Sequence, residues 1–298
     1  GPDEAGAGAE AVVCDSVLLF CSPSFGGGAV EGLSATQEEI GLLRYPEALL
    51  GLLCFATPLL PREALLVRGV RRYCDTRGYA HTFAFAGQRS SRRAAPTTLL
   101  GLDAARCPGP AQFAPALVAR ELTKAHAGFA ALARSGARCC QTGLWGCEGF
   151  SGGQPVLRML LQLLAAARAG VRLRLELPSD AAPKWFAGVL AELRAHPPTA
   201  AALHALLCDE LPQQRARLAQ EVPAYSSFLI KALRKAASAS ATTSAAASAA
   251  ATSAAAAAAA TDEGPDATVP LKRVRTQSLC PDDAVPRRQR QGEKGGEV

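Results

Sequence analysis

Eight residues separate Phe25-Gly26-Gly27-Gly28 from Gln37-Glu38-Glu39. Three successive glycines lack a Cβ, adopt positive φ at little cost and let the backbone come close to a ligand. Their amides can form an anion-binding nest. Ile40, Leu42, Leu43 and Leu49 suggest a helix that starts near Gln37, and the dipole at its N-terminus favours a nearby phosphate. The chemistry to expect is phosphate binding beside two carboxylates able to exchange protons. Each half also has a plainer reading: a flexible glycine turn, and a glutamate pair complementing a helix dipole in solvent.

These residues need a scaffold, and periodicity and breakers outline one. Val12 to Phe20 reads as a buried strand entering the glycine loop, and Gln37 to Phe55 as a helix interrupted near Pro46. Ala64 to Val70 and Thr98 to Leu102 are strand candidates. Pro115 to Arg134 is a helix with Leu117, Leu122 and Phe129 on its apolar face. Pro155 to Ala169 is a second helix, followed by a strand over Val171 to Leu177. Helices are expected over Ala181 to Ala195, Thr199 to Leu211 and Tyr225 to Arg234. Strands alternating with helices predict a layered α/β fold, with ligand loops at the strand ends. The expected domain covers residues 11–235. Residues 236–298, rich in Ala, Ser and Thr and then in Pro, Asp and Arg, read as a disordered tail.

The 298 residues leave room for one α/β domain plus that tail. No apolar run free of alanine is long enough to span a membrane, which takes about 20 residues. No secretory signal is visible, and the absence of an initial methionine fits a fragment or a processed chain. Ten cysteines are present without a Cys-x-x-Cys pair. Cys14, Cys21 and Cys54 fall in apolar runs, so reduced buried thiols are expected, with a location in the nucleus, the cytoplasm or both. The four histidines, His81, His126, His196 and His204, form no cluster with cysteines, so no metal and no cofactor is expected.

The net charge of +6 is mild but uneven, with Arg71, Arg72, Arg77, Arg89, Arg92 and Arg93 in one region and a second basic stretch from Lys272 to Arg290. Both would attract a polyanion, or else form a solvated loop and tail. Within the tail, Lys272-Arg273-Val274-Arg275 and Arg287-Arg288-Gln289-Arg290 have the form of a bipartite nuclear import signal, or of mere solvated charge. Aromatic residues make up 5% of the chain, too few for an extended base-stacking platform. Sequence-specific nucleic-acid binding is therefore not expected. Neither a serine-hydrolase elbow nor a Gly-x-Gly-x-x-Gly dinucleotide turn is expected.

Five segments, in order over roughly residues 17–210, resemble the poly(ADP-ribose) glycohydrolase family. They are the Gly26-Gly27-Gly28 to Gln37-Glu38-Glu39 arrangement, Gly78-Tyr79-Ala80-His81-Thr82-Phe83, Leu102-Asp103-Ala104, Arg120-Glu121-Leu122-Thr123-Lys124-Ala125-His126-Ala127-Gly128-Phe129, and Thr142-Gly143-Leu144-Trp145-Gly146-Cys147-Glu148-Gly149-Phe150-Ser151-Gly152-Gly153. The resemblance implies a macrodomain-like core, a layered mixed sheet flanked by helices. It also implies hydrolysis of the ribose–ribose O-glycosidic bonds of poly(ADP-ribose), through an oxocarbenium-like transition state.

By that resemblance Glu39 protonates the leaving ribose hydroxyl and then activates water, while Glu38 orients ribose hydroxyls. Adjacent glutamates on a helix point in different directions and cannot flank one bond as a glycosidase pair, which agrees with a division of labour. Gly26, Gly27, Gly28, Gly149, Gly152 and Gly153 match the two diphosphate loops. Gln37 belongs to the signature, Tyr79 matches the adenine-side tyrosine and Phe150 the residue near the distal ribose. The implied partners are poly(ADP-ribose) or ADP-ribosylated proteins, met by a monomer.

The family's Asp-Phe-Ala-Asn is Leu19-Phe20-Cys21-Ser22 here, so Ser22 stands in for its asparagine. Its asparagine before tryptophan is Leu144, its loop-ending aspartate aligns without a gap with Gly153, and an adenine-facing aromatic falls near Leu177. Each loss removes a contact of about 1–3 kcal/mol. Two other readings follow: a weakened macrodomain that binds ADP-ribose without hydrolysing it, and an interaction module with a closed pocket.

Overall fold

A computed structural model of the chain describes residues 14–26, 28–29, 35–54, 57–90, 95–107, 109–147, 152–176, 184–213, 228, 230–235 and 238. The chain divides into two units, Gly1–Ser248 and Ala249–Val298, and every described residue belongs to the first. The start of the expected first strand, Leu177, residues 225–227 and both basic clusters of the tail lie outside the described residues.

Five strands form one sheet in the order β2-β5-β1-β6-β7: β1 Ser16–Phe20, β2 Leu65–Val70, β5 Thr97–Leu102, β6 Cys139–Thr142 and β7 Arg172–Leu175. β1 lies parallel to β5, with Ser16 opposite Thr98 and Phe20 opposite Leu102. On its other side β1 is parallel to β6, and β6 to β7. Only β2, at the edge, runs antiparallel, with a register shift at Gly69. Two further strands, β3 Cys74–Arg77 and β4 Ala84–Gln88, form a separate hairpin.

Alternation along the strands supplies two buried faces. Leu18, Leu100 and Leu102 point into the larger core with Phe113, Phe129, Trp145 and Leu160. Leu19, Leu65 and Leu99 point into a smaller one with Phe25, Leu42 and Tyr45. The first face is covered by the long helices α3 (Pro115–Arg134) and α4 (Pro155–Ala169), the second by α1 (Gln37–Arg44) and a 3-10 turn over Pro46–Leu50, which runs on into α2 (Gly51–Cys54). Each buried leucine contributes roughly 1.5–3 kcal/mol. The chain is thus a layered α/β protein with a mixed sheet flanked by helices, as its periodicity predicts.

Both long helices match their expected bounds because proline opens each one. A left-handed Gly170 closes α4. On α3 the apolar face is Val118, Leu122, Ala125, Phe129 and Leu132, whereas Leu117 is only half-buried. Beyond β7 come α5 (Lys184–Ala195), α6 (Ala200–Ala205) and a π-helical turn over Leu206–Glu210. Strands β3, β4 and β6 have no expectation behind them: four or five residues such as Cys-Asp-Thr-Arg show no alternation to read. The expectation that all thiols are free is corrected at one place. The Asp15 carboxylate accepts from the Arg138 and Cys139 amides, holding the starts of β1 and β6 together, and Cys14 and Cys139 are joined in a disulfide. No described helix is long and apolar enough to cross a membrane.

Candidate active site

At the C-terminal end of β1 the chain turns through Ser22–Gly26, and α1 begins against that turn. Thr36 caps the helix and Glu39, at the third helical position, closes a capping box. One Glu39 oxygen, Oε2, accepts from the Thr36 amide at 3.0 Å and from the Thr36 hydroxyl. The other, Oε1, accepts no hydrogen bond from the described residues and lies against Gly28, where a methyl group would collide with it. A Cβ at position 28 would push this carboxylate oxygen aside.

Glu38 turns the other way, into the protein. Its Oε1 accepts from the Gly26 amide at 2.7 Å and its Oε2 from the Ser22 amide at 3.0 Å. Burial raises its pKa above the ordinary carboxylate value; the two amides oppose the rise and the Glu39 charge adds to it. The Gly26 amide is therefore committed to Glu38, and anion donors on this loop must come from residues after it. Gly27 lies outside the described residues. The Gln37 side-chain oxygen is buried and without a partner among the described residues.

The hairpin β3–β4 brings Tyr79 to the same end. Tyr79 is 52% exposed at the hairpin tip. The next residue, Ala80, has φ 48°, a conformation that non-glycine residues seldom adopt. Its amide donates to the Ala35 carbonyl at 2.9 Å, which fastens the tip to the entry of α1. Lower down, Arg44 Nε donates to the Thr76 hydroxyl at 2.8 Å.

The second glycine-containing loop follows β6, and at Gly146 and Gly153 its backbone is packed rather than open. Gly153 donates to the Gly146 carbonyl at 3.0 Å, and a Cβ at Gly153 would come within 2.6 Å of Arg158 Nε. Arg158, 2% exposed, lies 5.6 Å from the centre of the Trp145 ring and pairs with Glu121. Burial lowers its pKa to about 10, so it stays charged at neutral pH. Glu121 also accepts from Arg120 and from the Ala105 amide, while Asp103 pairs with Arg120 and Lys124. Lys124 in turn donates to the Leu60 and Glu63 carbonyls at 2.6 and 2.7 Å. Gly152 is exposed at this loop's end, and Gly149 and Phe150 lie outside the described residues.

The structure thus brings Ser22, Gly26, Gly28, Gln37, Glu38, Glu39 and Tyr79 around one strand end. Arg158, Gln112 and Gln154 have no expectation behind them. Gln154 caps α4 by accepting from the Leu157 amide at 2.7 Å, and its own amide donates to Gln112 Oε1 at 2.5 Å. A polar residue directly after two glycines and before a helix was the available signal. Gly149-Phe150-Ser151-Gly152-Gly153 does spell Gly-x-Ser-x-Gly, against the expectation of none. A nucleophile elbow turns directly from strand into helix; β6 ends at Thr142, α4 begins at Pro155, and residues 149–151 lie outside the described residues.

The profile of the poly(ADP-ribose) glycohydrolase family, described as a macro domain fold, matches residues 15–181. The chain belongs to the poly(ADP-ribose) glycohydrolase family. It is 25% identical over 201 residues to the probable poly(ADP-ribose) glycohydrolase 2 of Arabidopsis thaliana, covering 53% of this chain and 38% of that protein. Poly(ADP-ribose) glycohydrolase 1 of the same plant is 31% identical over 116 residues, covering 37% of this chain and 21% of its own. Poly(ADP-ribose) glycohydrolase 1 of Caenorhabditis elegans is 27% identical over 169 residues, covering 50% and 21%. The chain therefore spans well under half the length of these relatives. The matched stretch contains both glycine loops, the hairpin and the Asp103–Arg158 charge cluster of this member of the family.

Proposed function

We propose that the chain is a poly(ADP-ribose) glycohydrolase that hydrolyses ribose–ribose bonds and releases ADP-ribose. The observation that carries this reading is the contact between Gly28 and Glu39. A carboxylate whose one oxygen is anchored to Thr36 keeps the other beside a glycine loop suited to phosphate. In this reading Glu39 gives its proton to the leaving ribose oxygen as the oxocarbenium-like centre develops, then takes one from the attacking water. Glu38 tethers the Ser22 and Gly26 amides, which shapes the loop. A ribose hydroxyl would be a second donor to either of its oxygens. Tyr79, at an exposed tip beside the start of α1, would cover the adenine end, and Gly152 and Gly153 would border the diphosphate from the other loop.

The second reading, a macrodomain that binds ADP-ribose without hydrolysis, draws support from Leu19 and Leu144. Leu19 is 4% exposed, in the smaller core against Gly41, and Leu144 packs on the larger core. Neither offers a polar group to a ligand. The alignment at Gly153 weighs the other way. Set on Gly152-Gly153-Gln154, the family's Gly-Gly-Asp keeps a polar side chain at the cap of α4, with one extra residue in the loop.

The test is ADP-ribose release from purified poly(ADP-ribose) by the wild-type chain beside Glu39→Gln. Release lost on substitution is the expected result. No release by either protein, with ADP-ribose binding retained by both, would leave the binding module.

A further inference from the structure

We propose that the outer face of the β3–β4 hairpin is a binding strip for the phosphates of a poly(ADP-ribose) chain beyond the unit held in the cleft. The proposal rests on the glycohydrolase reading for its substrate and extends it from one unit to the polymer.

Positive charge is concentrated in this segment. Residues 71–93 hold six arginines, one aspartate, and no lysine or glutamate. That stretch carries +5 of the net +6, so the rest of the chain is nearly neutral. Arg92 and Arg93 lie outside the described residues; on the hairpin and its flanks, Arg72, Arg77 and Arg89 against Asp75 leave +2. Cys74 and Thr76 face α1, through Leu43 and Arg44. Asp75 instead pairs with Arg72 and Arg89, and Arg77 is exposed.

The guanidinium groups are also preorganised. Asp75 is shared by two arginines, pairing with Arg72 Nη2 at 2.7 Å and with Arg89 Nε at 2.7 Å. Arg72 Nε also donates to the Cys74 carbonyl at 3.1 Å. One carboxylate thus fixes two guanidinium groups and leaves a positive excess with free N–H donors, a geometry that suits phosphate oxygens. Arg77 is exposed, without an ion pair among the described residues. Arg89 donates its amide to the Tyr73 carbonyl, so it lies opposite a residue four positions from Arg77. That separation is about 13 Å along the strip at about 3.3 Å per residue.

The strip also has a direction. Ala80, beyond Arg77, is bonded to Ala35 at the entry of α1, so the strip ends at the candidate catalytic helix. A polymer carrying one diphosphate per unit, seated by its end in the cleft, would run back along these arginines. A single ADP-ribose would not reach them.

The experiment is fluorescence anisotropy on the full chain carrying Glu39→Gln, which prevents turnover and retains a glutamine suited to the capping box. Labelled long poly(ADP-ribose) and free ADP-ribose are the probes. Arg77→Ala with Arg89→Ala is expected to weaken polymer binding about 10-fold or more at low salt and to flatten the log K against log salt slope by about 1.4. Free ADP-ribose binding should change less than about twofold, and Arg172→Ala, at the far end of the strands, should alter neither. Arg77→Ala alone breaks no described contact and should give about half the change in slope, which keeps the test valid if the double variant misfolds.

Equal loss for both ligands, no loss for the polymer, or an equal effect of Arg172→Ala would overturn the proposal. So would a single-stranded RNA of matched phosphate number displacing the polymer equally well, which would make the strip a nucleic-acid surface. Arginine-dependent polymer binding by a wild-type chain that releases no ADP-ribose would sink the hydrolase reading and leave the strip standing. Release of ADP-ribose without any arginine dependence would do the reverse.

Discussion

The two glycine-containing loops solve the problem of holding irregular backbone at a strand end in opposite ways. The first is held by acceptors: Glu38 takes the Ser22 and Gly26 amides, and the neighbouring Glu39 is left with one oxygen facing Gly28. The second is held by a cation: Arg158 is packed against Gly146 and Gly153, with Trp145 beside it and Glu121 beneath. Among the described residues the first loop thus keeps a spare acceptor, Glu39 Oε1, while behind the second the buried donors Arg158 Nε and Gln154 Nε2 have no partner and the charges are paired in holding the fold. Damage to the first should appear in chemistry, and damage to the second in stability.

The largest effect expected from this contrast is on stability at the second loop. Glu121→Gln leaves the Arg158 guanidinium buried without its countercharge, and unfolding by urea should show a loss of about 3–5 kcal/mol. Glu121→Gln combined with Arg158→Met removes both charges and should recover much of that loss. Failure of the pair to recover would mean that Arg158 acts through its packing on Trp145 and not through its charge.

Glu39→Gln is the counterpart on the first loop. ADP-ribose release should fall about 10²- to 10⁴-fold, the range for one acid–base group, with stability within about 0.5 kcal/mol of wild type. A large stability loss would erase the distinction between the loops. Gly28→Ala is milder, because its methyl displaces the carboxylate and leaves its chemistry intact. A shift near 1 Å should cost about 10²-fold in release, with an unchanged urea midpoint.

The same contrast marks what could be read from the sequence. Apolar period and flanking prolines outlined β1, β2, β5 and the two long helices, because burial and helix starts leave local marks. The first loop was legible for a similar reason: glycines and the first turn of α1 are close in sequence. The group holding the second loop was not. Arg158 sits inside an apolar helix, and its partner Glu121 is 37 residues away on another, so nothing local ties them. Leu19 and Leu144 were visible as replacements, but only the fold shows both packed on apolar cores. The inward turn of Glu38 was likewise hidden, since adjacency on a helix sets a difference in direction without saying which carboxylate faces the protein.

That inward turn gives the smallest and most diagnostic effect. Two forces compete at Glu38: burial favours the neutral acid, and the two amides favour the carboxylate. Burial is the larger, so the folded-state pKa lies above its ordinary value of 4.5. A raised acid binds its proton more tightly in the folded state. Its contribution to stability is therefore fully present below pH 4.5 and is lost as pH rises through the folded-state pKa. Glu38→Gln removes the titration and keeps one carbonyl acceptor, and subtracting its stability curve from that of wild type cancels every other titrating group. The difference, measured by urea unfolding between about pH 4 and 7, should shrink as pH rises. A difference that grows instead would mean that the amides outweigh burial, and that the first loop holds Glu38 as a charge from the outset.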